Sequence, residues 1–268
     1  MNKKEEKIKA LREFREKKGK ALIVYLVLRF LVVLSMVRQF MNGNISGVFM
    51  CVLTLILFLI PSIIDRKLNV ELPNTLEILV LLFIFSAEIL GEINEFYIHF
   101  SHWDVMLHTT NGFIMAAIGF SLINILNNDD RFHVSLSPVF VSIFALCFSM
   151  TVGLFWEFFE YSADKYLGYD MQKDTIIKEV TSVKLDPNNK NNAVTIPIDS
   201  LEVNGENWIA KYDGYIDIGL HDTMNDLFVN LLGAIAFSIV GWVYIKDDNR
   251  FAENFLPKRK SKSKVNKT

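Results

Sequence analysis

The chain has 268 residues, 51% of them hydrophobic, a positive mean hydropathy and a formal net charge of −2. That balance excludes a disordered polar chain and a basic nucleic-acid binder, and two cysteines are too few for a disulfide framework. Phenylalanine alone occurs 22 times, mostly inside long uncharged runs, which points to a bilayer as the solvent of this chain.

The first twenty residues, MNKKEEKIKALREFREKKGK, carry nine Lys or Arg. They are too long and too charged for the n-region of a cleavable signal. They read as a basic cytoplasmic tail, a short helix lying on the membrane with Ile8, Leu11 and Phe14 turned towards it. Six apolar runs follow, near 21–41, 46–64, 76–96, 105–127, 136–157 and 226–246, each long enough to cross the roughly 30 Å hydrocarbon layer as a helix. The expected fold is therefore an all-α membrane protein. It is a six-transmembrane-helix bundle over 21–246 with a small β-rich extracytoplasmic loop region at 165–221 and a second basic tail at 247–268.

Orientation follows from charge. The segment from Lys246 onward carries eight more Lys or Arg, and an even number of spans places both tails on one side. The basic excess makes that side cytoplasmic. Arg66, Lys67 and Arg131 fall on the same side, whereas the loop after the third helix has no Lys or Arg. The expected location is the cell membrane, multi-pass, with both termini inside. The bilayer is the partner, anionic lipid head groups meet the basic tails, and nucleic acid is not a partner.

Within the long loop, Val194, Ile196 and Ile198 alternate as in a half-buried strand, and Pro197 restricts that strand to an edge. Asn204–Gly205 stands between two strand-like runs, the composition of a two-residue hairpin turn. Two to four strands are expected there, with DPNNKNN as an exposed turn. Cys51 and Cys147 lie in the second and fifth helices and read as packing residues.

The ionisable residues of the apolar runs define a candidate site. An ionisable group in or at the lip of a membrane helix is costly, so each is a functional candidate by default. In the third helix Glu88, Glu92, Glu95 and His99 share one face, and Glu88 lies near mid-membrane, with Arg29 of the first helix a partner on depth alone. In the fourth, Asp104 and His108 are one turn apart, so the carboxylate can orient the imidazole as a general base or metal ligand; a helix cap and an interfacial histidine explain the same pair. The fifth ends in Glu157, Glu160 and Asp164 on one face, where three acids oppose the helix dipole. The sixth enters with His221, Asp222, Asp226 and Asn230, and Gly233 continues that stripe. Asp222 also suits a cap. Carboxylates with one or two histidines fit a hard or borderline divalent metal, with Glu157, Glu160, Asp222 and Asp226 as its ligands.

At these residues the chain resembles the YjdF-like family of bacterial inner-membrane proteins. WDVMLHTTNG, WEFFEYSAD and HDTMNDLFVNLLGA stand in the order of that family's aromatic-Asp…His…Gly, Glu-x-x-Glu and Asp-Thr-x-x-Asp blocks, over 104–233. More loosely the chain is similar to the VanZ-like proteins, which share a His, a Glu and an Asp-x-x-Asn-x-x-Gly arrangement and are linked to glycopeptide resistance. Val105 stands where relatives commonly carry a basic residue, and His221 where they carry Trp. The resemblance implies a six-helix bacterial membrane protein with a shared polar site, and brings no reaction with it.

Three functions compete at this level. One is a site at head-group depth that binds a divalent metal and acts on or binds an envelope lipid, with His108 and Asp104 in the catalytic role. The second is a cation-coupled transporter or channel in which Glu88 marks the path, although no inverted repeat is evident. The third is a structural or regulatory membrane subunit whose polar cluster holds helices together.

Overall fold

The computed structural model describes residues 3–67, 70–127, 136–247 and 250–259. They divide into two compact units, one of residues up to Gly153 and from Val229 onward, the other Leu154–Phe228. Arg131, the basic residues beyond Arg259 and the side chains of Ile8, Leu11 and Phe14 lie outside what is described.

The first unit opens with α1, Lys3–Met41, a single 39-residue helix where a separate surface helix was expected. Gly19 is the one glycine at the junction, and its cost of about 1 kcal/mol relative to alanine is too small to break a helix of this length. α2 (Ile45–Leu57) starts where the Asn44 side chain accepts from the Gly47 N–H at 3.0 Å, and α3 (Ile60–Lys67) continues it. The interruption falls just before Pro61, which has no N–H to give and whose ring crowds the carbonyl four residues back. Next come β1 (Val70–Glu71), α4 (Asn74–Phe85), a π-helical segment over Ser86–Ile93, α5 (Phe96–His99) and α6 (Trp103–Asn127). α7 (Pro138–Leu167) and α9 (Leu220–Asp247) each belong in part to both units.

Among the described residues five helices are long and apolar enough to cross a membrane: Gly19–Met41, Ile45–Asp65, Trp103–Leu126, Pro138–Leu167 and Leu220–Lys246. The run expected as a sixth, 76–96, is divided between α4 and the π segment. The wider π turn ends under Tyr97, where a Cβ on Gly91 would lie 2.3 Å from the ring, and Glu95 then turns the chain with φ 58°.

Among the described residues three buried clusters hold this unit, the smallest being Leu72, Leu76 and Ile114 between the start of α4 and α6. Val32, Cys51, Phe58, Leu81 and Ile89 pack α1, α2, α4 and the π segment together. Ala116, Phe120, Val141, Ala145, Ala234 and Phe237 join α6, α7 and α9, and Ala252 and Leu256 complete the cluster. Part of the stretch read as a basic tail thus folds back on the helices. β8 (Lys258–Arg259) also pairs antiparallel with β1.

α6 and α9 run parallel in backbone contact. A Cβ on Gly112 would lie 2.0 Å from the Asn230 carbonyl oxygen, and one on Gly233 2.0 Å from that of Thr109. Asn230 ties the crossing. Its Oδ1 accepts from Asn111 Nδ2 at 3.1 Å, and its Nδ2 reaches Met150 Sδ of α7 at 3.5 Å. Gly153 leaves room for that side chain, and Ser149 Oγ donates to the Gly112 carbonyl at 2.8 Å. Gly112→Ala or Gly233→Ala should each destabilise the protein by about 1–3 kcal/mol, because backbone must move to admit the methyl. Thermal melting in detergent reads this, with Gly19→Ala, which meets nothing within 4 Å and should if anything stabilise by up to about 1 kcal/mol, as the control of opposite sign.

In the second unit, short ladders take the place of one β cap. β2 (Ile176–Ile177) pairs with β7 (Tyr215–Ile216), β3 (Glu179–Ser182) with β4 (Val194–Pro197), and β5 (Glu202–Val203) with β6 (Glu206–Asn207), all antiparallel. Pro197 is the last residue of its strand. Asn204 and Gly205 form the β5–β6 turn with φ 53° and 83°, the doubly positive geometry that a tight hairpin favours. The DPNNKNN turn is organised by Asp186, whose carboxylate accepts from the N–H groups of Asn188 and Lys190 and from Asn192 Nδ2 at 2.9–3.2 Å. The short helix α8 (Trp208–Tyr212) completes this unit.

Candidate functional site

Glu157 and Glu160 are three residues apart on α7 and so share a face. In the second unit that face meets the first turns of α9. One carboxylate oxygen from each of Glu157, Glu160 and Asp226 lies within 4.8 Å of those of the other two. All three residues are buried, at 3%, 7% and 1% exposure. Trp156 Nε1 donates to Glu160 Oε1 at 2.8 Å. Asp222, one turn before Asp226 and half-buried, brings an oxygen within the same 4.8 Å of it. Its Oδ2 accepts from the Lys173 N–H at 2.7 Å.

Three carboxylates this close and this buried repel one another strongly if all are ionised, so protons or a cation must share the space. An all-oxygen set of this size fits a hard divalent ion such as Mg, Ca or Mn, and a histidine nitrogen added to it moves the preference towards Mn or Zn.

Asp164, the third acid of the expected face, and Asp217 do different work. Asp164 accepts from the N–H groups of Met171 and Gln172 at 2.6 and 2.9 Å, which pins the chain as it leaves α7. Asp217 accepts from the N–H groups of Thr175, Gly219 and His221 at 2.8–3.3 Å. Gln172 Nε2 donates to Thr223 Oγ1. His221 contributes its backbone there, while its side chain is exposed.

In the first unit the expected Asp104–His108 pair forms: Asp104 Oδ1 is 3.5 Å from His108 Nε2, with the histidine buried. Asn230 sits at the helix crossing as a packing residue. Glu88 stands in the π segment, and its Oε2 is buried with no hydrogen-bond partner among the described residues. Arg29 does not pair with it, because the Arg29 guanidinium donates to Tyr25 Oη, one turn back on the same helix, at 2.6 Å and lies over that ring.

Sequence reasoning missed Ser149 and Gly153 of the crossing and the clamping role of Asp217. A small-residue pattern in α7 was the available signal for the first two. Nothing local marks Asp217.

Several apolar helices of spanning length, with acids buried near their ends, define a multi-pass membrane protein. Residues 21–247 match the model of the family described as predicted membrane protein (DUF2238), and the chain belongs to that family. No curated protein and no solved structure matches it.

Burial alone would raise the Asp217 carboxyl. The three backbone donors and the His221 charge outweigh that and hold it below the ordinary aspartate value. Its contribution to stability is therefore complete above about pH 3.9 and is lost as pH falls through the lower folded value. At neutral pH, Asp217→Ala should speed hydrogen exchange at Thr175, Gly219 and His221 by about tenfold or more, from the 1.5–3 kcal/mol of a charged hydrogen bond. Mass-spectrometric exchange on that segment checks it, and unchanged protection would show that the clamp carries nothing.

Proposed function

We propose that this protein is a multi-pass membrane protein that binds a divalent cation through Glu157, Glu160 and Asp226, and that the site binds or acts on the head group of an envelope lipid. The observation that carries this reading is the meeting of three buried carboxylates from two helices within 4.8 Å. His108, oriented by Asp104, is the proposed nitrogen ligand or proton carrier, and Asp222 the proposed outer member of the set.

The crossing at Asn230 fixes α6, α7 and α9 together at Gly112, Gly153 and Asn230. His108, Glu157 and Asp226 are each four residues, one helical turn, beyond those positions. The likeness of the three sequence blocks to the YjdF-like family belongs to this reading, because the same residues form them.

A bound divalent ion would supply charge to polarise a phosphate oxygen. The chain's own residues would orient that head group, with the buried His108–Asp104 pair able to take up or release a proton beside it. Metal analysis of the purified protein tests the reading. Wild type should carry a stoichiometric divalent ion, Glu160→Ala should lose it, and His108→Ala should hold it more weakly. The same low metal content in wild type and Glu160→Ala would overturn it.

The proposed topology has α4 and the π segment as a sixth crossing, both termini cytoplasmic and 165–221 outside. The β1–β8 pairing supports it, since it joins the loop before α4 to the chain after α9. A cysteine at the exposed Lys190, in a Cys147→Ser background because Cys147 is exposed, should react with an impermeant maleimide in intact cells. Labelling only after lysis would reverse the orientation.

A further inference from the structure

In the first unit, α7 and α9 leave between them a shallow apolar groove of about 290 Å³. Val139, Ile143 and Leu146 form one wall, Ile235, Ile239 and Trp242 the other. From Val139 to Leu146 it runs roughly 10 Å along the helix. Both walls belong to membrane-spanning segments, so hydrocarbon is its solvent. Three features are not those of plain lipid-facing surface.

Lys246, exposed, folds back so that its Nζ lies 4.8 Å from the centre of the Trp242 ring. This places a cation and an interfacial tryptophan at the mouth. The same mouth holds the N-terminus of α7, where Ser137 accepts from the Phe140 and Val141 N–H groups and the helix dipole favours an anion. Finally, Ser238 lines the groove at 7% exposure, with its Oγ buried and without a hydrogen-bond partner among the described residues.

Ser238 is one turn, roughly 6 Å, deeper than Trp242. That offset matches the step from the phosphate of a glycerophospholipid to its ester carbonyls. We propose that the groove is a binding site for one anionic phospholipid, its phosphate between Lys246 and the α7 N-terminus, an ester carbonyl accepting from Ser238 Oγ, and one acyl chain along the apolar walls. Charge complementarity selects the head group. A second copy of the chain fits less well, because a two-fold contact would face two positive mouths. The inference does not depend on the cation reading above.

The test uses the full chain, delipidated in mild detergent, with phosphatidylglycerol or phosphatidylcholine added and retention read by native mass spectrometry. Wild type should keep one phosphatidylglycerol with several-fold preference over phosphatidylcholine. Lys246→Gln should remove the preference, Ser238→Ala should weaken retention of both lipids, and Ile239→Trp, which fills the groove, should abolish it. Val139→Trp at the mouth repeats the filling test should Ile239→Trp not fold. Equal retention of the two lipids by wild type would overturn the proposal. So would full retention by the filled variants, or a dimer that the filled variants split.

Discussion

The contact of α6 with α9 at Gly112 and Gly233 is the constraint from which the rest follows. Between helices in lipid no hydrophobic force draws apolar faces together, because lipid tails are as apolar as leucine. Close association then depends on backbones that can touch and on polar groups that can bond across the contact. Both conditions meet here: two glycines admit the carbonyls of Asn230 and Thr109, and Asn230 bonds to α6 while reaching α7. Along each helix an ionisable residue, His108, Glu157 or Asp226, stands four residues from that point.

Acids in the second unit divide into two kinds. Asp164, Asp186, Asp217 and Asp222 turn carboxylate oxygens towards backbone N–H groups. A segment with strands of two to four residues has little core, so charge-assisted bonds to amides take over part of the role of packing. Glu157, Glu160 and Asp226 are of the other kind, buried and close to one another.

This division explains what the sequence could and could not disclose. Apolar length and helical spacing are local properties, so five of the six spanning runs and the shared face of Glu157 and Glu160 were legible. Asp164 has the same spacing, yet its oxygens are taken by amides seven and eight residues later, a contact that exists only once the chain has turned back. Asn204–Gly205 was legible because its positive φ angles are a property of two residues. The π segment was not; it lies beside the contact of Tyr97 with Gly91, which helical spacing does not signal. Depth alone left the Arg29–Glu88 pairing open, and a tyrosine one turn away on the same helix as Arg29 takes its guanidinium at no cost in chain entropy.

The two kinds of acid are also adjacent, and this has a mechanical consequence. Asp222 holds the Lys173 N–H and is one turn from Asp226; Gln172 is bonded to Thr223 beside it and to Asp164 at the end of α7. Positive charge drawn to Asp226 would also draw on the Asp222 carboxylate within 4.8 Å of it, and so compete with the amide that Asp222 now holds. On the proposed cation reading, occupancy of the carboxylate cluster and the order of residues 171–175 would thereby be linked through Asp222, and the linkage would act in both directions.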